Sequence, residues 1–326
     1  MRRFFLILLL VLPVLGLAAQ ERHDSAGDVP IPSPDATFCF AHRDTCELYL
    51  DFYRAAPDAG PRAGETLKPL IIHIFGGAFM TGQRNYPRDR IWYRQLADAG
   101  YHVAAIDYRL GLKGQPIKPD LSALPTLKRA IDIAVEDLFS ATVYLLDNAL
   151  DLGIDTDRIV VSGSSAGAMT ALQGEWEICN GRELARVLPG WFNYAGVMAF
   201  AGAVFSMDGR IVYNQKPCPT MLLHGTADRI VPYGQITLFD KQFAGSDALA
   251  RKMAVTGANV QFFRFRDAGH EVAASMLRNV PEELRFLEEN VVKGIHRQVD
   301  ALVDDAGIED MGWRGYSARD LYKTVK

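Results

Sequence analysis

A short β-branched run followed by two closely spaced glycines constrains this chain more than any other feature. Residues 159–161 are Ile-Val-Val, which predicts a buried strand, and Gly163 and Gly167 lie two positions on either side of Ser165. A strand that turns sharply into a helix leaves room only for small residues at those two positions, and it pushes the central side chain out over the sheet edge. The spacing predicts a strand, a tight turn and a helix, with Ser165 as the candidate nucleophile. Since glycine and serine also form ordinary loops, this pattern by itself leaves coincidence open.

Strand-like and helix-like patterns alternate along most of the chain. Short apolar runs predict buried strands, and longer stretches with apolar side chains at helical spacing predict helices packed on a sheet. This alternation is typical of an α/β fold with a mostly parallel sheet, here of eight strands, covered by helices on both faces. The first two strands are expected to pair antiparallel at one edge. The predicted strands cover residues 38–40, 47–53, 70–74, 102–106, 159–161, 197–201, 220–223 and 260–265. The predicted helices cover residues 90–99 and 127–150, and a final helix starts after Pro281, with Val299 and Leu302 as candidates for its apolar face, Gly294 as a candidate break and Gly307 as its end.

The composition fits one large globular domain. The chain has 326 residues, of which 49% are hydrophobic, and this is enough to bury one large core or two smaller ones. The formal net charge is −4, without long runs of like charge. A chain of this kind lacks the basic patch of a protein that binds nucleic acid or anionic lipid. We therefore expect no nucleic-acid partner.

The N-terminal residues predict export. Two arginines precede an apolar run over residues 4–12, and small residues follow at 16–19, which is the order of a secretory signal peptide. A membrane anchor is the alternative, but the run is shorter than the roughly 20 residues that span a bilayer, and Pro13 interrupts it. We expect a periplasmic or secreted protein with no stable membrane anchor after cleavage. The predicted segments are a signal peptide at 1–19, a linker at 20–36, a folded domain at 37–307 and a C-terminal extension at 308–326.

The C-terminal extension carries aromatic residues in a polar setting. Trp313, Tyr316 and Tyr322 are separated by charged and small residues. Such a segment either docks on the folded domain or contacts a partner, and docking is the simpler interpretation.

The four cysteines are candidates for two disulfides, because thiols tend to oxidise outside the cytoplasm. Cys39 and Cys46 flank a polar turn, which suggests a clip across a hairpin, and Cys179 and Cys218 would then remain to pair. Free thiols are the alternative for both pairs, since sequence does not determine connectivity. The spacing fits neither a Cys-x-x-Cys redox motif nor a zinc site. We expect no metal and no cofactor.

Two later residues are candidate partners for Ser165. A serine hydroxyl is a poor nucleophile at neutral pH, so it needs a base within hydrogen-bond reach and an acid that orients that base. Asp228 and His270 each lie just past a predicted strand, and the order serine, aspartate, histidine is that of hydrolases with this strand–turn–helix motif. Taken singly, Asp228 also fits a turn or helix cap, and His270 fits an ordinary surface histidine. The zinc motif His-Glu-x-x-His is excluded because Ala274 occupies the position of its second histidine.

A glycine turn offers donors for an oxyanion, the charge that forms when a nucleophile attacks a carbonyl. Residues 75–79 follow a predicted strand, and the amides of Gly77 and Ala78 can approach a ligand there. Ala166, directly after the candidate nucleophile, is the third candidate donor. A purely structural turn is the alternative for Gly77 and Ala78. Neither glycine stretch is a phosphate cradle, since no Gly-Lys-Ser/Thr follows.

Together these motifs resemble those of the α/β-hydrolase superfamily. The chain is similar to secreted bacterial carboxylesterases and to carbohydrate esterases of the feruloyl or acetyl xylan type. Residues 74–79, 106–111, 155–167 and 224–232, with Gly269 and His270, carry the resemblance. It implies the α/β-hydrolase fold with its catalytic machinery, and it leaves the substrate open.

The glycine turn departs from the esterase pattern at two positions. Related esterases often have His-Gly-Gly-Gly, whereas Phe75 and Ala78 stand here in place of the histidine and the third glycine. An alanine there is expected to serve as a donor if its φ is negative. Asp107 and Arg109 match a family motif whose role is structural.

The combined features predict a serine carboxylic ester hydrolase that works through an acyl-enzyme. The short stretch from Ser206 to Pro219 leaves little room for a cap domain, so we expect an open site suited to esters on soluble carriers, including acetyl or feruloyl groups on polysaccharide. Loops at residues 111–125 and 179–191 remain candidates for a small lid. The alternatives are a serine peptidase of the prolyl-oligopeptidase type and a non-enzymatic interaction protein on a hydrolase scaffold.

Overall fold

The structure is a computed structural model, and it describes residues 30–116, 120–308, 313, 315–318 and 320. The predicted signal peptide and most of the predicted linker lie outside the described residues, as does part of the predicted C-terminal extension. From Ile31 onward the chain forms one compact unit.

The centre of the molecule is a nine-stranded sheet with the strand order β1-β2-β4-β3-β5-β6-β8-β11-β12. β1 and β2 pair antiparallel at one edge and β2 also runs antiparallel to β4, while all other neighbours are parallel. The strands of this sheet are β1 (Ala36–His42), β2 (Glu47–Tyr53), β3 (Lys68–Ile74), β4 (His102–Ile106), β5 (Ile154–Ser164), β6 (Gly196–Phe200), β8 (Thr220–Gly225), β11 (Val260–Phe265) and β12 (Val299–Val303).

Helices cover both faces of the sheet, as the alternating pattern predicts. Ile131, Leu172 and Leu249, from three helices, lie in the core on one face. Trp92 and Phe286 lie in the core on the other face. The helices are α1 (Pro87–Asp98), α2 (Leu124–Asp147), α3 (Ala149–Leu152), α4 (Ala166–Cys179), α5 (Ser246–Val255) and α6 (Met276–Phe286).

The apolar runs form buried strands because a parallel sheet covered on both faces exposes neither side to water. Every residue of β3 is buried, and its side chains pack alternately into the two cores. The long apolar stripe of α2 lies against the same sheet through Val135 and Leu138, which are fully buried.

The C-terminal part of the domain differs from the predicted helix. α6 begins at Met276, and the helical segment ends just before the predicted break at Gly294, whose φ is +64°. Val299 and Leu302, predicted on a helix face, instead belong to β12, which pairs parallel with β11. The sheet therefore has nine strands rather than eight. Alternating exposure along β12 is typical of an edge strand, and this two-residue period is hard to distinguish from a helix over five residues.

A second, three-stranded antiparallel sheet has the order β7-β10-β9 and consists of β7 (Ala203–Ser206), β9 (Gln235–Leu238) and β10 (Lys241–Gly245). Its strands, which are four or five residues long, are not among those predicted from the sequence. The amide of Phe205 in β7 donates to Oε1 of the buried Gln173 in α4 at 3.1 Å, so this sheet is anchored to the helix that follows the Ser165 turn.

Both predicted disulfides are wrong in this structure, where all four cysteines are free. The hairpin register places Cys39 opposite Tyr49, so Cys46 lies in the turn, away from it. Cys179 Sγ donates to Oε1 of Glu175 at 3.2 Å, and the Cys218 amide donates to the same oxygen at 2.8 Å. A buried carboxylate thus lies beside both residues of the second pair.

Within the described residues, no helix combines the length and the apolar character needed to cross a bilayer.

Candidate active site

Ser165 lies at the sharp turn between β5 and α4, as the glycine spacing predicts. Its φ of 51° and ψ of −115° are unusual for a residue with a side chain. A Cβ on Gly163 would lie 2.3 Å from the carbonyl of Gly167, and a Cβ on Gly167 would lie 2.0 Å from the carbonyl oxygen of Ile74. Both contacts are with backbone atoms, so only glycine fits either position. A hydrogen bond from the Ser165 amide to the carbonyl of Phe200 in β6, at 2.8 Å, stabilises the strained turn.

The structure brings Ser165, His270 and Asp228 into one continuous hydrogen-bonded chain. Ser165 Oγ lies 2.7 Å from His270 Nε2, and His270 Nδ1 lies 2.7 Å from Asp228 Oδ2. Asp228 follows β8, and His270 begins a short 3-10 helix after β11. Parallel strands deliver these side chains to one edge of the sheet because their carboxyl ends all meet there.

Asp228 is held as a carboxylate by donors on both of its oxygens. Oδ1 accepts the amides of Ile230 at 2.9 Å and Val231 at 3.1 Å. Burial favours the neutral acid and raises the pKa, but hydrogen bonds and charge from His224 and His270 outweigh burial and hold the pKa of Asp228 well below its usual range. The group is thus ionised throughout the physiological pH range, and it can orient an imidazole.

The loops that carry Asp228 and His270 touch through their backbones. The amide of Ala227 donates to the carbonyl of Ala268 at 2.9 Å. A Cβ on Gly225 would lie 2.2 Å from the carbonyl oxygen of Gly269, so glycine is required at the end of β8. This contact fixes the distance between the acid and the base.

The glycine turn after β3 lies against Ser165. A Cβ on Gly76 would lie 3.2 Å from the Ser165 Cβ, which places this turn at the nucleophile. The next three residues have positive φ, of 124° at Gly77, 55° at Ala78 and 60° at Phe79. The condition stated for Ala78 as a donor, a negative φ, is therefore not met. The turn imposes the conformation that a third glycine would adopt without strain, and alanine keeps its backbone N–H in that conformation.

Ala166 is buried at the first position of α4, where helix geometry leaves backbone N–H groups without acceptors of their own helix. The N-terminal end of a helix also carries a partial positive charge. Ala166 directly follows Ser165 in the chain. The turn formed by Gly76, Gly77 and Ala78 lies against Ser165 in space. This arrangement can stabilise negative charge that develops beside Ser165 Oγ.

Two further segments border the site. The Trp313 ring lies 5.6 Å from the His270 ring, and the Ala318 amide donates to the carbonyl of Arg229 at 3.1 Å. The described part of the C-terminal extension therefore lies on the domain beside Asp228 and His270. On the other side, the Leu112 amide donates to the Phe79 carbonyl at 3.0 Å, so the first part of the predicted lid loop borders the glycine turn. Residues 117–119 of that loop lie outside the described residues.

Sequence reasoning missed one member of this cluster. His224 is fully buried, and its Nε2 lies 3.2 Å from Asp228 Oδ2. The only sequence signal is its place four residues before Asp228, at the end of a buried strand. In the described part of the chain, no group of three or more His, Cys, Asp or Glu side chains is arranged to hold a metal ion.

Two family models match overlapping parts of the chain. The BD-FAE model matches residues 58–177, and the Phospholipase/Carboxylesterase model matches residues 127–288. The first match contains the glycine turn and Ser165, and the second contains Ser165, Asp228 and His270.

Among curated proteins, the chain is similar to an ethyl acetate hydrolase of Pseudomonas putida, with 28% identity over 183 residues, which are 54% of this chain and 51% of that protein. It is also similar to an arylesterase of Saccharolobus solfataricus, with 36% identity over 98 residues, which are 30% of this chain and 27% of that protein. The matches thus span about half or less of these relatives.

Among solved structures, the apo form of Thermogutta terrifontis esterase 2 superimposes with a TM-score of 0.54 at 19% identity. The match covers 78% of this chain and 95% of that one. Similarity at this level of identity concerns the fold. Together with the sheet topology it confirms that the chain has the α/β-hydrolase fold.

Proposed function

We propose that this protein is a serine carboxylic ester hydrolase with Ser165 as nucleophile, His270 as general base and Asp228 as the acid that orients it. The observation that carries the proposal is the unbroken chain from Ser165 Oγ through His270 to Asp228, with 2.7 Å at both steps. The Phospholipase/Carboxylesterase match over the same residues supports it. The similarity to an ethyl acetate hydrolase and to an arylesterase also supports it.

The reaction proceeds in two halves. As Ser165 Oγ attacks the ester carbonyl carbon, its proton passes to His270 Nε2, and the amides of Gly77, Ala78 and Ala166 hold the oxyanion. The bond from the carbonyl carbon to the alcohol oxygen then breaks, and His270 gives its proton to the departing alcohol. In the second half His270 takes a proton from water as the water attacks the acyl-enzyme. The bond from the carbonyl carbon to Ser165 Oγ then breaks, His270 returns the proton to Oγ, and the carboxylic acid is released.

The substrate class we propose is a small ester with a short acyl group. Ser165 is partly accessible, and the small β7-β10-β9 sheet is anchored to α4 rather than forming a separate cap. The curated match to an ethyl acetate hydrolase favours an acetyl group. Acetyl or feruloyl esters of polysaccharide, met by an exported enzyme, are the narrower form of this proposal, and export itself remains a prediction from the N-terminal residues.

The test compares wild type with Ser165→Ala on ethyl acetate, p-nitrophenyl acetate, an acetylated xylan, a feruloyl ester and an aminoacyl-p-nitroanilide. We expect ester turnover that falls at least about 10⁴-fold in kcat in Ser165→Ala. Ser162→Ala is the matched control, since Ser162 is a buried serine three residues before Ser165, in β5. It should keep kcat within about threefold of wild type.

The outcomes separate the alternatives. Equal turnover by wild type and Ser165→Ala would refute the nucleophile. A preference for the anilide would favour a peptidase. A folded wild type without activity on any of these compounds would favour an interaction protein.

A further inference from the structure

His224 occupies an unusual position for a histidine that the reaction does not use. It lies in β8 and is completely buried, with both ring nitrogens close to polar atoms. Its Nε2 lies 3.2 Å from Asp228 Oδ2, the same oxygen that His270 Nδ1 approaches at 2.7 Å. Two imidazoles therefore share one carboxylate oxygen.

The neighbours of His224 determine its tautomer. Nε2 faces Asp228 Oδ2 and, at 3.3 Å, the carbonyl oxygen of Val231. Both are acceptors when the carboxylate is ionised, so the proton belongs on Nε2. Nδ1 then accepts from the hydroxyl of Ser246, whose Oγ lies 2.7 Å away. The ring is held from α5 on one side and donates toward Asp228 and its turn on the other.

His224 acts on both halves of the Asp228 turn. The N–H is aligned with the Val231 carbonyl, and the Val231 amide donates to Asp228 Oδ1 at 3.1 Å. The same N–H lies beside Asp228 Oδ2. One buried ring thus contacts the carboxylate that orients His270 and the turn that presents this carboxylate.

We propose that His224 is a positioning residue for the ester hydrolysis proposed above, acting through Asp228. Because its N–H lies beside Oδ2, it partly neutralises the negative charge that would otherwise act on His270 alone. It thereby sets how strongly the carboxylate favours the protonated imidazole. It also holds Oδ2 in line with His270 Nδ1.

The other charged and titratable groups around this cluster belong to several elements. The Tyr233 ring lies 5.6 Å from the His224 ring, and its hydroxyl accepts from Arg264, which also pairs with Asp247 at 2.6 Å. Glu271, next to His270, is buried and accepts the Gly269 amide at 2.8 Å. These groups remain in place when only residue 224 is changed, so they form a constant background.

The experiment measures kcat/KM for p-nitrophenyl acetate as a function of pH in wild type, His224→Leu and His224→Gln. In His224→Leu, we expect kcat to fall about ten- to a hundredfold, the usual effect of losing a hydrogen bond to a charged group. We expect the acid limb of the profile to move to higher pH by roughly half a unit or more, because the carboxylate charge then acts on His270 alone. The glutamine side chain keeps an N–H, so His224→Gln should return both quantities most of the way to wild type.

A matched control separates positioning from packing. His73 is a second buried histidine in a central strand, and His73→Gln should leave the pH profile of kcat/KM unchanged. If His224→Leu fails to fold, Ser246→Ala provides the second test, since it removes only the hydroxyl that holds Nδ1. It should move the acid limb in the same direction by a smaller amount.

An acid limb at the wild-type pH in both His224→Leu and Ser246→Ala would overturn the proposal, whatever happens to kcat. The downfield proton resonance of His270 Nδ1–H gives an independent readout in the same variants, and we expect it to shift when residue 224 or 246 changes. If wild type shows no Ser165-dependent turnover, the proposed function fails. This resonance then still decides whether His224 acts on the His270–Asp228 pair.

Discussion

This molecule contains two serine–histidine pairs whose serines lie three residues apart in the chain, and only one pair has the parts of the proposed catalytic site. Ser165 lies 2.7 Å from His270, and Ser162, three residues earlier in β5, lies 3.3 Å from His73 in β3. Each histidine also has a tryptophan neighbour, Trp313 at 5.6 Å from His270 and Trp92 at 4.9 Å from His73. The residue types are alike, but their surroundings differ.

The difference lies in the carboxylate. Asp228 accepts from His270 Nδ1, whereas His73 contacts Trp92, whose indole N–H donates to the buried carboxylate of Glu283 at 2.7 Å. Among the described residues, Nε2 of His73 has no hydrogen-bond partner. Burial lowers the pKa of His73 to about 3. A ring that stays neutral and has no path to solvent is part of the core, so a serine–histidine contact alone does not make a nucleophile.

The largest predicted effect comes from removing the carboxylate of the first pair. Asp228→Asn should lower kcat about 10⁴-fold, because an amide can hold His270 in the wrong tautomer. Steady-state kinetics on p-nitrophenyl acetate measures this effect, and Glu283→Gln is the matched change at the second pair, expected to leave kcat within about threefold of wild type. Similar losses in both variants would contradict the distinction between the two pairs.

An intermediate effect is expected at the tryptophan beside His270. In the proposed mechanism the departing alcohol takes its proton from His270 Nε2, so a large alcohol group would lie near the Trp313 ring. Trp313→Ala should lower kcat/KM about three- to tenfold for phenyl and benzyl acetates, the usual size of an aromatic contact. Ethyl acetate is the internal control, and Trp313→Phe should keep most of the contact. An equal loss for all three esters would show that Trp313 does not touch the alcohol.

The smallest effect concerns stability at the second pair. Burial raises the pKa of Glu283 well above its usual range, despite the hydrogen bond from Trp92. When the pKa of a carboxyl group is higher in the folded than in the unfolded protein, the free energy of unfolding falls as the pH rises above the pKa of the unfolded state. This loss of stability grows until the pH reaches the pKa of the folded state. A glutamine side chain does not ionise in this pH range, so it has no such cost. Glu283→Gln should therefore gain stability relative to wild type as the pH rises from 4.5 to 8.

Urea unfolding at pH 4.5 and pH 8 measures this difference. The stability gain of Glu283→Gln should shrink toward pH 4.5, where the unfolded carboxyl is itself largely protonated. A gain that does not depend on pH would mean that Glu283 is not the titrating group.

The sequence predicts the central part of the fold and site because steric requirements there leave few choices. Gly163 and Gly167 have no alternative at a turn with contacts of 2.0 to 2.3 Å, and such a turn presents Ser165 wherever it occurs. Long-range register was harder to predict. That the cysteines are free follows from the hairpin register, which pairs Cys39 with Tyr49, and from the contact of Cys179 with Glu175. β12 forms because it pairs with β11, and this parallel partner is adjacent only in the folded chain.

His224 illustrates the same limit at the site. Its role depends on a shared carboxylate oxygen, and a histidine at the end of a buried strand gives no sign of this in the sequence. The positive φ of Ala78 is also a property of the folded turn, since alanine normally avoids that conformation.

The close approach of Gly225 to Gly269 has a consequence for protein engineering. Because the two backbones touch without any intervening side chain, neither segment can adjust when the backbone position of the other changes. A chimera that imports the acid-bearing segment from a distant homologue would need the histidine-bearing segment from the same donor. Recombination libraries should therefore keep both segments from one parent and place their crossovers outside residues 225–270.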